Sequence, residues 1–232
     1  MTPLTAYLAL ALYPLVRFLG LLLLNPVAFY WGFTKGKEPM PPPVLERAES
    51  VSRCMLFIID AILLAGIFYF IRRHSISFTH FGFPLDGWLT AALVGCSIGA
   101  AWEGFRRQLM AQFQPAVGEP GNHWVLRGNR GLWVLLFITG SFSEESWRAL
   151  CLVLLMMAGH SAAFAVVVSS LVFGITHLRQ GFGGVLNAAL VGVGLALLFL
   201  WFGTLIAPFA AHFTANTIHM YWMRRVSAES TQ

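Results

Sequence analysis

Residues 131–157 read GLWVLLFITGSFSEESWRALCLVLLMM. The stretch is apolar at both ends and long enough to cross a bilayer as one helix, since about 20 residues span a hydrocarbon core about 30 Å thick. Yet Glu144, Glu145 and Arg148 fall at its centre, within five residues of one another. A single charged side chain at that depth costs about 2.5–3.5 kcal/mol even on lenient insertion scales, so such groups are expected to face a bundle interior and to have a purpose there.

The rest of the chain supports the same setting. Of 232 residues, 57% are hydrophobic and 11% charged, and the mean hydropathy is +0.70, far from the quarter charged of a soluble domain. Apolar segments occur at roughly 6–32, 54–71, 88–105, 131–157, 161–178, 183–203 and 205–223, the first of them breaking at Pro26. The expected fold is all-α, a polytopic transmembrane helical bundle of about seven spans. Between the first two segments lies TKGKEPMPPPVLERAES, whose prolines mark a loop, and QPAVGEPGNHWVLRGNR separates the third from the fourth.

Loop charge gives an orientation. Lys35, Lys37, Arg47, Arg53, Arg106, Arg107, Arg127, Arg130, Arg179, Arg224 and Arg225 fall on one side of this topology, while the other side has only Arg72 and Arg73. By the positive-inside rule the C-terminus is cytoplasmic and the N-terminus outside, which leaves Arg17 and Arg148 within the membrane. The basic balance, pI about 9.5, is accounted for by topology, and no nucleic-acid partner is expected. The bilayer itself and a membrane-associated protein or peptide are the expected partners. Cys54, Cys96 and Cys151 are too far apart for a disulfide framework or a thiolate metal site and are expected as small buried hydrophobes. The first span lacks a basic leader and a small-residue cleavage site, and is expected to be retained. Gly184, Ala188, Gly192 and Ala196 recur every four residues as a packing stripe.

Two further polar intrusions follow the acidic pair: Phe173 and His177 in LVFGITHL, and His212 and Asn216 in PFAAHFTANT. His212 and Asn216 share a helix face. Two carboxylates, two histidines and an amide supply what peptide hydrolysis requires: a general base for water, a second group to hold that water, and donors for the developing oxyanion. His177 and His212 fall near opposite ends of their spans, offset by about 10 Å at 1.5 Å per residue, so their convergence requires helix tilt.

FSEESWRAL, FGITH and HFTAN together resemble the three ordered motifs EExxxR, FxxxH and HxxxN of the CAAX protease and bacteriocin-processing (Abi) family of intramembrane peptidases. The resemblance covers roughly residues 84–223. It implies an intramembrane endopeptidase with Glu144, Glu145, His177, His212 and Asn216 as catalytic residues and Arg148 and Phe173 contacting substrate. The first motif departs from the pattern, reading EExxR. Two registers and three readings follow: anchored on the glutamates, Glu144 is the base and Arg148 is rotated by about 100°; anchored on Trp147 and Arg148, Ser143 stands where the family has its first glutamate and Glu144 pairs with Arg148 at i,i+4, so that either Glu145 is the base or the chain is inactive. Glu144 is the preferred base.

Several alternatives stay open. An inactive relative acting as a membrane binding or immunity protein, or a small transporter, would use the same buried charges. A zinc site on Glu144, His177 and His212 is a minority alternative to a cofactor-free mechanism, because no HExxH spacing is present and asparagine is a poor zinc ligand. Arg17 with Asp60, and Glu103 with Arg106 and Arg107, are expected as structural ion pairs, and His74, His80, His123, His160 and His219 are assigned no role. The expected organisation is N-terminal helices and loops over 1–83, a peptidase core over 84–223 and a short cytoplasmic tail over 224–232, in a bacterial inner membrane.

Overall fold

The computed structural model describes residues 3–24, 42–83, 86–113, 130–178 and 181–229. Among these the chain is all-α, with seven helices and no strand: α1 (Pro3–Leu24), α2 (Pro42–Arg73), α3 (Trp88–Phe113), α4 (Arg130–Met157), α5 (Ala162–Ile175), α6 (Gly181–Phe202) and α7 (Ile206–Glu229). The expected break at Pro26, His123 and the stretch before Arg130 lie outside the described residues. Among the described residues, two segments, Cys54–Arg73 and Gly181–Phe202, are long and apolar enough to cross a bilayer by length and composition.

The proline-rich segment differs from expectation. Helix α2 begins at Pro42, so PPVLERAES is helical rather than loop. Proline is tolerated in a first turn, where the missing N–H has no intrahelical acceptor.

Helix α4 is the centre of the bundle, touching α1, α2, α5, α6 and α7. Its burial is continuous from Ser143 to Leu155, so the acidic pair lies in the interior. The α4–α5 connection is tight. Gly159, at φ 91°, takes the left-handed conformation that ends α4; its N–H donates to the Met156 carbonyl (3.0 Å) and that of His160 to Leu155 (3.1 Å), a Schellman arrangement. Ser161 then caps α5, its Oγ accepting from the Phe164 N–H at 3.2 Å.

The apolar core around α4 also holds charged groups, and many large apolar side chains lie on the surface. Asp60, Glu103, Glu144, Glu145, Arg148 and His212 are buried, while Leu8, Leu12, Ile62, Leu93, Leu171, Leu190 and Trp201 face outward. Cys151 is buried as expected, but Cys54 and Cys96 lie on the exposed surface of α2 and α3 and are not core residues. The small-residue stripe of α6 packs as expected: Ala188, Gly192 and Ala196 are buried, and a Cβ on Gly192 would stand 3.2 Å from Ser170 of α5.

A second close approach was not singled out in the sequence. On α3, Gly95 and Gly99 lie against α7, where an added Cβ would come within 2.3 Å of the Ala207 carbonyl oxygen and 2.2 Å of that of Ala211. Any side chain there must push apart the two helices that carry Glu103 and His212. Gly99→Leu is therefore expected to lower stability by about 1–3 kcal/mol or more, read as a fall in the thermal unfolding midpoint; an unchanged midpoint would refute this packing.

Candidate active site

Two successive glutamates on a helix point about 100° apart, so each needs its own partners. Glu145 points toward α7. Its Oε1 accepts a hydrogen bond from His212 Nδ1 at 2.7 Å, and its Oε2 forms an ion pair with Arg148 Nη1 three residues along the same helix. Glu144 is turned toward α1: its Oε1 is paired with the guanidinium of Arg17, while its Oε2 lies 3.5 Å from His212 Nε2. The His212 imidazole thus stands between the two carboxylates, with one ring nitrogen toward each.

Among the readings left open, the i,i+4 pair of Glu144 with Arg148 is not formed, and Arg148 pairs with Glu145 at i,i+3. The expected pair of Arg17 with Asp60 is present, with Nε 3.6 Å from the carboxylate, and Arg17 also pairs with Glu144, which the sequence did not suggest. The physical reason is the arrival of α1. Tyr13 stacks on Trp147 (centroids 5.1 Å apart) and its hydroxyl meets Ser143 Oγ at 2.9 Å, which brings Arg17, one turn later on α1, to Glu144. Arg148 is left to Glu145. Ser143 itself meets the Tyr13 hydroxyl of α1. Helix α4 runs without interruption through the motif, and an i,i+3 pair lies on one helix face as an i,i+4 pair does, so the short EExxR spacing needs no helical irregularity.

Phe173 of α5 joins the two histidines. Its ring meets His177 edge-on at 4.7 Å and His212 at 6.1 Å, and the Arg148 guanidinium lies 4.1 Å from its centre, a cation–π contact. His177 sits in the turn after α5, its Nδ1 3.0 Å from the Phe173 carbonyl and 3.1 Å from Thr176 Oγ1. Because a carbonyl only accepts, Nδ1 is the protonated nitrogen and Nε2 is left as an acceptor in the neutral ring. Asn216, one turn beyond His212, donates from Nδ2 to Ser141 Oγ of α4 at 3.4 Å. Arg148 Nε and Nη2 are buried and have no hydrogen-bond partner among the described residues.

A second cluster, centred on the buried Glu103, lies along the α3–α7 seam, with His219 seven residues beyond His212 on α7, about 10 Å along the helix axis. Glu103 accepts from Arg106 Nε (2.8 Å) and Nη2 (2.9 Å) and from Arg107 Nε (3.3 Å), as the spacing suggested. His219 Nδ1 joins it at 3.2 Å from Glu103 Oε1. His219 was expected to have no role and instead bridges α7 to α3, a contact between residues 116 apart that no local pattern foretells. His160, also unassigned, meets the Tyr7 hydroxyl at 2.6 Å.

The zinc set does not fit. Among the described residues no three His, Cys, Asp or Glu side chains converge to hold a metal ion, and the Arg17 guanidinium already occupies Glu144, placing positive charge where a dication would bind.

Comparison with known proteins finds no match among curated proteins and none among solved structures. Residues 127–218, the segment holding Glu144, Glu145, Arg148, Phe173, His177, His212 and Asn216 and excluding Arg17 and Asp60, match the family model for type II CAAX prenyl endopeptidase Rce1-like proteins.

Proposed function

We propose that the protein is a polytopic intramembrane endopeptidase in which glutamate-activated water hydrolyses a peptide bond of a membrane-associated protein or peptide. The observation that carries this proposal is the placement of His212 between Glu144 and Glu145, with Phe173 linking it to His177. Glu144 is the general base: its Oε1 is held by Arg17 and its Oε2 remains to take a proton from water. His177 Nε2 accepts a hydrogen bond from that water and aims it. Attack on the scissile carbonyl places negative charge on its oxygen, which His212 Nε2 and the Asn216 amide stabilise from one face of α7. Donation from Nε2 uses the doubly protonated His212 ring, whose charge then sits between the two carboxylates. Collapse of the tetrahedral species breaks the C–N bond, and the proton held by Glu144 passes to the leaving amine. Glu145 and Arg148 hold His212 and Phe173 in place.

The outward apolar surface and the buried charges support a bundle embedded in lipid, with the orientation given by the loop arginines and a bacterial inner membrane as its site. The matched family is described by CAAX prenyl substrates, so a farnesylated C-terminal CAAX peptide and its unprenylated counterpart are the substrates to test, with the protein reconstituted in liposomes. Cleavage by wild type and none by a Glu144→Ala, Glu145→Ala double variant is the expected result; equal cleavage by both sinks the proposal. Asn216→Ala is expected to lower kcat by about 10²–10³, as the loss of one oxyanion donor does, and an unchanged kcat would remove Asn216 from that role. Chelation of divalent metal is expected to leave the rate unchanged, and a rate lost to EDTA and restored by zinc would replace this mechanism with a metal-dependent one.

A further inference from the structure

Arg17 and Asp60 lie outside the segment that matches the peptidase family, and the expected role for them was a structural pair between two spans. Their geometry carries more. The interior near α4 holds three carboxylates, Asp60, Glu144 and Glu145, against two guanidiniums, Arg17 and Arg148. Arg148 serves Glu145. Arg17 serves Glu144, and only at Oε1, so that Oε2 remains turned toward His212. A carboxylate with one oxygen fixed has a defined plane and a defined free lone pair, which is what a base acting on a single water requires.

The Arg17 side chain is itself held. On α1, Tyr13 and Arg17 are i and i+4 and share a face, and Tyr13 is fixed on Ser143 and Trp147, the neighbours of Glu144 on α4. From the other side Asp60 of α2, 3% exposed, stands 3.6 Å from Arg17 Nε. The guanidinium therefore spans α2 and α4, with its Nη1 on Glu144 and its Nε toward Asp60. A buried pair between two helices alone needs one carboxylate; here a second carboxylate faces the same cation at 3.6 Å and holds it by charge, with no hydrogen bond between Arg17 Nε and Asp60 Oδ1.

We infer that Arg17, held by Asp60, is a positioning residue for Glu144, so that the first two helices complete the catalytic site of the family-matched segment. The inference rests on the peptidase assignment of Glu144. The test measures kcat and KM on the cleaved peptide, per folded molecule, for Arg17→Gln, Arg17→Lys and Asp60→Asn in the full chain, with Glu144→Gln as the control. Arg17→Gln is expected to lower kcat about ten- to a hundredfold with KM unchanged, the scale of a reacting group displaced by about 1 Å. Arg17→Lys is expected to recover part of that loss, because it restores the charge but not the two-sided fork, and Asp60→Asn to fall less than Arg17→Gln and also in kcat. A merely structural pair would lower the yield of folded protein and leave kcat per folded molecule at the wild-type value. That outcome in Arg17→Lys and Asp60→Asn overturns the inference while Glu144-dependent cleavage leaves the peptidase assignment standing; a wild-type chain with no Glu144-dependent cleavage overturns both.

Discussion

Glu144→Gln is expected to reduce peptide cleavage by about 10²–10⁴, the range for removal of a general base, and to leave the protein folded. The isosteric amide keeps a carbonyl oxygen for Arg17, and Arg17 keeps a counter-charge in Asp60 at 3.6 Å, so no buried cation is left bare. Glu145→Gln is expected to behave differently. It removes the carboxylate that pairs with Arg148 and accepts from His212 Nδ1, so it lowers stability and activity together, with Arg148 left uncompensated in the interior. Measuring rate and unfolding midpoint for both variants separates a base from its support. Full activity in Glu144→Gln beside a dead but well-folded Glu145→Gln would reassign the base to Glu145, and with it the direction from which water attacks.

The legible part of this site in the sequence was its ordered polar intrusions. Glu144, Glu145, Arg148, His177, His212 and Asn216 stand out because each interrupts an apolar run, Phe173 was singled out only by the resemblance, and i,i+4 spacing already places His212 and Asn216 on one face. The existence of the seven described helices was legible in their apolar runs, but not all their ends, since α2 starts at Pro42 and α3 runs on to Phe113 through charged residues that were expected outside the spans. Partner choice between helices was not. Arg17 is one cation among apolar neighbours, and nothing local says whether Asp60 or Glu144 receives it; that is decided by Tyr13 docking on Trp147, 134 positions away in the chain. The Arg148 pairing was ambiguous because i+3 and i+4 lie on nearly the same helix face, and the choice fell to whichever glutamate α1 left unpaired. His219 and the Gly95–Gly99 contact share this origin, being consequences of α3 lying along α7.

Arg148→Met is expected to produce the largest loss of stability in the molecule. The guanidinium is 1% exposed, paired with Glu145 and set over Phe173, so its removal strips one carboxylate of its cation and one ring of its stacking partner. Breaking a buried pair from one side costs about 3–5 kcal/mol, because the remaining charge stays in a medium that solvates it poorly. For a chain of this size that corresponds to a drop on the order of 10 °C in unfolding midpoint. The same physics makes the loss reversible: Glu145→Gln added to Arg148→Met removes the stranded charge, and the double variant is expected to regain much of the midpoint, a positive coupling that a double-mutant cycle measures. Arg148→Lys should fall between, since an ammonium keeps the charge but cannot lie flat on the Phe173 ring while meeting the carboxylate. A cycle in which the two changes simply add would mean that Glu145 is balanced by His212 without Arg148. The arginine of the motif would then be a packing group, not the counter-ion of the support carboxylate.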